Sequence, residues 1–166
     1  IRISDCSRKY GHSPVGERCV EVCRKTPSPH FTLSAMCSLN GIEYAKVING
    51  ASNTIEFLQF FDEAGQAFNI TTGLPCLSVG DIVVMDNLSS HHYDGGAALE
   101  DWLGEMGIEL IYTPTYSPDL NPIEECFLKI KSVLTKEHVN YNIYSIRASV
   151  LDATSKVTAS DMLGYY

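Results

Sequence analysis

The stretch at residues 112–127, Tyr-Thr-Pro-Thr-Tyr-Ser-Pro-Asp-Leu-Asn-Pro-Ile-Glu-Glu-Cys-Phe, constrains this chain more than any other. Pro114, Pro118 and Pro122 each hold φ at about −65° and remove a backbone donor, so no regular strand or helix runs through the segment. A β-branched run at 108–112 precedes it and an apolar helical periodicity follows it, so the loop is a stiff link between a strand and a helix. The helix opens with two carboxylates, Glu124 and Glu125, in its first turn. An earlier short strand at 81–85 ends in a third acid, Asp86, followed by Asn87. Carboxylates delivered by two separate rigid elements are what a metal-dependent phosphodiester enzyme requires.

With 166 residues the chain can bury one sizeable core. No apolar run is long enough to span a bilayer, and no basic-then-apolar leader is visible at the start. The first residue is Ile, so a fragment or processed form is expected. The six cysteines have neither the density of a disulfide scaffold nor paired zinc spacing, so reduced, mostly buried thiols in an intracellular protein are expected. The net charge of −8 is unusual for a nucleic-acid binder. Its distribution is uneven: six of the 12 Lys and Arg fall within the first 25 residues, whereas residues 26–128 hold Lys46 alone against 14 acids. Such an acidic middle is either a solvated surface or a site neutralised by divalent metal.

Alternation predicts strands at 18–23, 31–38 and 42–48, with Asn40-Gly41 as the hairpin turn between the last two. Asn53 and Glu56 have capping-box spacing, which predicts a helix to about residue 64. A strand at 81–85, a helix after Gly95 and Gly96 presenting Leu99, Trp102, Leu103 and Met106, and a strand at 108–112 follow. Helices are then predicted from 122 to about 138 and from 144 to 157. An antiparallel meander followed by alternating strands and helices predicts an α/β fold, a mixed sheet with helices packed on it, in one domain.

At ~100° per residue, Ile123, Phe127, Ile130 and Leu134 form one apolar stripe. Glu124 flanks that stripe, whereas Glu125 lies about 200° from Ile123 and points to solvent. Asn121-Pro122-Ile123-Glu124 is also a good capping sequence, with Asn as cap, Pro at the first helical position and Glu at the third. Asp86 has a bland role too, since Asp-Asn often opens a turn. Sites in such sheets gather at the carboxyl ends of strands, however, and Asp86 stands at one. His91 and His92 follow it; no third His or Cys stands near them at zinc spacing.

Asp86-Asn87-Leu-Ser-Ser-His91 together with Thr113-Pro-Thr-Tyr-Ser-Pro-Asp-Leu-Asn-Pro-Ile-Glu124 resembles the catalytic domain of mariner-superfamily DDE transposases. Arg8-Lys9-Tyr10-Gly11 and the residues to Arg18 resemble the segment after that family's first strand, and the likeness runs from about residue 8 to 131. Thr115 departs from the family's usual Pro. The resemblance implies a ribonuclease-H-like fold with helices on both sheet faces. It implies DNA strand cleavage and strand transfer with two Mg²⁺ or Mn²⁺ ions, Asp86 being the second acid and Glu124 the third. The first acid is expected upstream of Ile1, because Asp5 stands too close to Tyr10; the family's helix-turn-helix region is expected further upstream still. Asn87, His91, Tyr116, Asn121, Arg8 and Lys131 are candidate DNA or active-site contacts, with Arg18 and Lys129 as further phosphate contacts. Expected partners are double-stranded DNA, as terminal repeats and target, and a second copy of the chain, without a membrane; the expected place is the nucleus if the cell is eukaryotic. The 166 residues alone are expected to be inactive. The alternatives are an inactive or domesticated relic that binds DNA or protein, and a cellular nuclease of the same fold.

Overall fold

A computed structural model describes residues 12–20, 30–86, 94–115, 117–136 and 143–166. Its elements run β1 (Phe31–Ser38), β2 (Gly41–Asn49), α1 (Thr54–Gln66), β3 (Ile82–Met85), α2 (Asp94–Glu105), β4 (Glu109–Tyr112), a 3₁₀ turn (Pro118–Leu120), α3 (Ile123–Lys136), α4 (Ile143–Ser155) and α5 (Ala159–Tyr165). The expected strand at 18–23 differs: Arg18, Cys19 and Val20 are not in a strand, and 21–23 lie outside the described residues. Helix α5 was not expected, and α2 takes in both Gly95 and Gly96 rather than starting after them.

β1 and β2 pair antiparallel from Phe31↔Asn49 to Ser38↔Gly41. The turn is therefore Leu39-Asn40, one residue earlier than Asn40-Gly41. Gly41 is needed elsewhere: it has φ +119°, and a Cβ there would stand 2.6 Å from the Val157 carbonyl oxygen. It bridges to Thr158 at the α4–α5 junction. Register skips between Met36↔Tyr44 and Cys37↔Ile42, leaving Glu43 as the extra residue of a β-bulge. The bulge sends Cys37 and Ile42 to one face of the hairpin, and Met36 and Tyr44 to the other.

Those two faces define two cores. On one, Phe31 and Val47 pack with Cys126, Ile130 and Leu134 of α3, and with Ile146 and Val150 of α4. On the other, Phe60 and Phe61 of α1 and Leu99 and Leu103 of α2 cover Met36 and Tyr44, together with Val83 and Met85 of β3 and Leu110 of β4. β3 and β4 pair in parallel, Ile82↔Glu109 through Met85↔Tyr112. The antiparallel pair and the parallel pair thus share one helical layer, although no described strand joins them. The architecture is ribonuclease-H-like α/β with helices on both faces.

α1 starts as its sequence predicts. The Asn53 Oδ1 accepts from the Glu56 N–H at 2.9 Å, and the Asn53 N–H donates to Glu56 Oε2 at 3.1 Å. Lys46 Nζ and Tyr44 Oη then hold Glu63 at 2.6 and 2.8 Å, tying the helix to β2. Cys76 and Cys126 are buried free thiols and Cys37 is half-buried, as expected, whereas Cys19 is exposed. Among the described residues no helix is long and apolar enough to cross a membrane.

Gly41→Ala is expected to destabilise the fold by about 1–3 kcal/mol, since it forces a positive φ on an L-residue and drives a methyl into the Val157 carbonyl. A denaturant titration checks this; an unchanged midpoint would show that this approach is not tight.

Candidate active site

Alternation along β3 decides where Asp86 points. Val83 and Met85 enter the α1–α2 core, so Ile82 and Val84 take the opposite face, and Asp86 continues that face one residue past the strand. On β4, Glu109 and Ile111 share it and Thr113 follows. The Thr113 N–H donates to the Met85 carbonyl at 2.9 Å, extending the parallel ladder and placing Thr113 beside Asp86.

The proline segment then folds back. Leu120 N–H donates to Ser117 O at 3.2 Å, and Asn121 N–H to Pro118 O at 3.0 Å. α3 begins with the Glu124 N–H on the Asn121 carbonyl at 3.1 Å. Here the structure corrects the capping expectation. The box at Asn121 would need the Asn121 N–H to receive the Glu124 carboxylate, but the Pro118 carbonyl already occupies it. Glu124 is left without a capping duty, although its Asn-x-x-Glu spacing is the same as that of Asn53 and Glu56.

Asp86 and Glu124 consequently line one cleft of about 150 Å³ with Thr113, Pro114, Thr115, Ser117, Pro118 and Asn121. Glu125, one residue on, is exposed and does not line it. Of the predicted contacts, Asn121 is in the cleft and Lys131 is not; Lys131 is exposed on α3. Lys129 is committed to an ion pair with Asp161 of α5, which removes it as a free phosphate contact. Asn87, His91, Tyr116 and Arg8 lie outside the described residues. Thr113 and Ser117 were not among the expected site residues, and Thr115 and Pro118 entered only as a departure from the family pattern and as a stiffening proline. Thr113 was accessible to register reasoning, because it stands next after the pair that places Asp86.

Among the described residues the lining offers two carboxylates, three hydroxyls and an amide. Hard cations such as Mg²⁺ and Mn²⁺ fit such a set. Among the described residues no group of three His, Cys, Asp or Glu could hold a metal ion.

The mixed α/β domain, with Asp86 and Glu124 at adjoining strand and helix ends, has a ribonuclease-H-like fold. The chain matches the DDE superfamily endonuclease family over residues 2–143, and it belongs to that enzyme family. No curated protein matches it in sequence. Among solved structures it is similar to the Mos1 transposase paired-end complex with left transposon end (17% identity, TM-score 0.71, covering 95% of this chain and 46% of that one). It is also similar to the Mos1 mariner paired-end complex with Mn (18%, 0.71, 95% and 46%) and to the Mos1 strand transfer complex (16%, 0.68, 95% and 45%). The chain spans about half the length of the chains in those structures.

The Lys129–Asp161 pair ties α3, which carries Glu124, to α5. Lys129 and the Thr158 cap hold the Asp161 carboxyl down at about 2. A depressed carboxylate stabilises the fold above its unfolded value near 3.8, and the effect is lost as pH falls through about 2. Lys129→Met is expected to lower Tm by about 2–4 °C at pH 7, with the difference shrinking below pH 4. Thermal melts at both pH values check this, and a difference independent of pH would contradict it.

Proposed function

We propose that this chain is the catalytic domain of a DDE transposase, cutting and joining DNA strands with divalent metal. The observation that carries the proposal is the shared cleft: Asp86 and Glu124 arrive there from different elements, and Glu124 is free of the capping bond its sequence offers. In the DDE order, Asp86 is the second acid and Glu124 the third.

The chain's residues would do the following. Asp86 is placed by the β3–β4 ladder and Glu124 by the 3₁₀ turn and α3, so both offer hard oxygen ligands in the cleft from rigid supports. Asp86 and Glu124 would hold Mg²⁺ or Mn²⁺ there, two ions in the complete site, and bound metal would supply activation of the attacking oxygen and charge stabilisation for the leaving oxygen. Asn121, Thr115 and Ser117 supply neutral donors at the rim for scissile-strand oxygens.

The first acid is proposed to come from a strand beside β3. β1–β2 and β3–β4 lie against the same helical layer, and β3 has only β4 as its partner among the described residues. Terminal-repeat DNA, target DNA and a second copy of the chain are the proposed partners, and the nucleus the proposed place in a eukaryotic cell. An inactive relic that keeps only binding is the second reading.

Incubating the full-length protein with its terminal-repeat DNA in Mg²⁺ tests the proposal. Cleavage by the unmodified protein is expected. Asp86→Asn and Glu124→Gln should each drop the rate below about 10⁻³ of that value, with Glu125→Gln close to unmodified. Undiminished cleavage by either of the first two would remove the assignment. Metal-independent DNA binding without cleavage by the unmodified protein would select the relic.

A further inference from the structure

Thr113 has no function in any motif noted above, yet it is 7% exposed in the wall of the cleft. The other buried polar residues have evident structural tasks. Asn69 accepts from the Thr71 and Thr72 N–H groups at 2.7 and 3.0 Å, and the Thr154 hydroxyl donates to the Leu151 carbonyl at 2.7 Å. The Thr113 N–H is fixed on the Met85 carbonyl, which also fixes the peptide leading into Asp86. Met85 pairs with Tyr112, so the next pair along the parallel ladder is Asp86 with Thr113. Neighbours in register on parallel strands lie about 4.8 Å apart with side chains on the same face. Thr113, a buried residue with a hydroxyl, thus stands next in register to the residue whose carboxylate is proposed to hold metal.

We propose that Thr113 is a positioning residue for Asp86: its hydroxyl donates to the carboxylate oxygen turned away from the metal and holds the other oxygen toward the cleft. This role rests on the metal-binding reading of Asp86 and Glu124. Its chemistry suits the position. A ligating carboxylate needs a partner that fixes its rotamer, and such partners contribute on the order of 10–100-fold to metal affinity. Threonine provides that donor without positive charge, so it orients the carboxylate without repelling the cation as Lys or Arg would. Its branched Cβ limits χ1, so the hydroxyl loses little freedom on binding.

Mn²⁺ binding to the full-length protein, followed by electron paramagnetic resonance, tests this without relying on DNA cleavage. Thr113→Val keeps the shape and removes the hydroxyl; Thr113→Ala removes it without a second methyl; Thr113→Ser keeps it. The Val and Ala variants should bind Mn²⁺ about tenfold or more weakly, whereas Ser stays within about threefold of unmodified protein and restores most of the affinity. Binding by Val and Ala indistinguishable from unmodified, while Asp86→Asn abolishes it, would overturn the role of Thr113 and leave the metal site standing. Equal weakening in the Val, Ala and Ser variants would also overturn it, by pointing to packing rather than the hydroxyl. Mn²⁺ binding that survives Asp86→Asn would overturn the metal site, and the role of Thr113 with it.

Discussion

The parallel pairing of β3 with β4 is the constraint on which the candidate site depends. It buries Val83, Met85 and Leu110 against α1 and α2, and so decides by alternation that Asp86 must leave on the other side. The same ladder, prolonged by Thr113 onto Met85, starts the proline segment at a defined point and in a defined direction. If β4 slipped by one residue, Thr113 would face the core and the segment would leave the sheet on the wrong side. The position of Glu124 is thus set from two ends: by the ladder before the loop, and by the packing of Cys126, Ile130 and Leu134 behind it.

Two segments with the same Asn-x-x-Glu spacing show how local context decides whether the glutamate closes a capping box or lines a cleft. At Asn53 no carbonyl competes for the backbone N–H, and Glu56 closes the box. At Asn121 the preceding Ser117-Pro118-Asp119-Leu120 has already turned, and the Pro118 carbonyl takes that N–H. A capping box releases a donor that only a carboxylate or water can satisfy; the 3₁₀ turn satisfies it internally and leaves the second carboxylate to the cleft. Pro118 thus does more than stiffen the loop. Its carbonyl is the acceptor that keeps Glu124 out of the cap.

Much of this was legible in the sequence because it depends on local rules. β1 spans the predicted residues, α1 carries the predicted capping box, and the apolar stripe of α3 packs inward as its periodicity requires. The selection of Glu124 over Glu125 for the cleft also follows from helix geometry. What was not legible depended on tertiary contact. The hairpin turn shifted by one residue because Gly41 must lie under the Val157 carbonyl, a contact 116 positions away in sequence. The bulge at Glu43 has no local signature; it exists because both faces of the hairpin are buried and Ile42 and Tyr44 must part. Cys126 lies outside the apolar stripe read from the periodicity of α3, yet it is fully buried in the α3 contact. α5 is short, and its capping box at Thr158 and Asp161 went unremarked beside the larger patterns.

The central claim is that Asp86 and Glu124 are joint ligands of one divalent-metal site, held open because Glu124 does not cap its own helix. A crystal structure of the full-length protein soaked in Mn²⁺, with anomalous scattering locating the ions, measures this most directly. The account predicts Mn²⁺ in the cleft bonded to oxygens of both Asp86 and Glu124, with the Asn121 N–H still on the Pro118 carbonyl. Mn²⁺ absent from the cleft, with the Glu124 carboxylate folded back onto the Asn121 N–H, would contradict it.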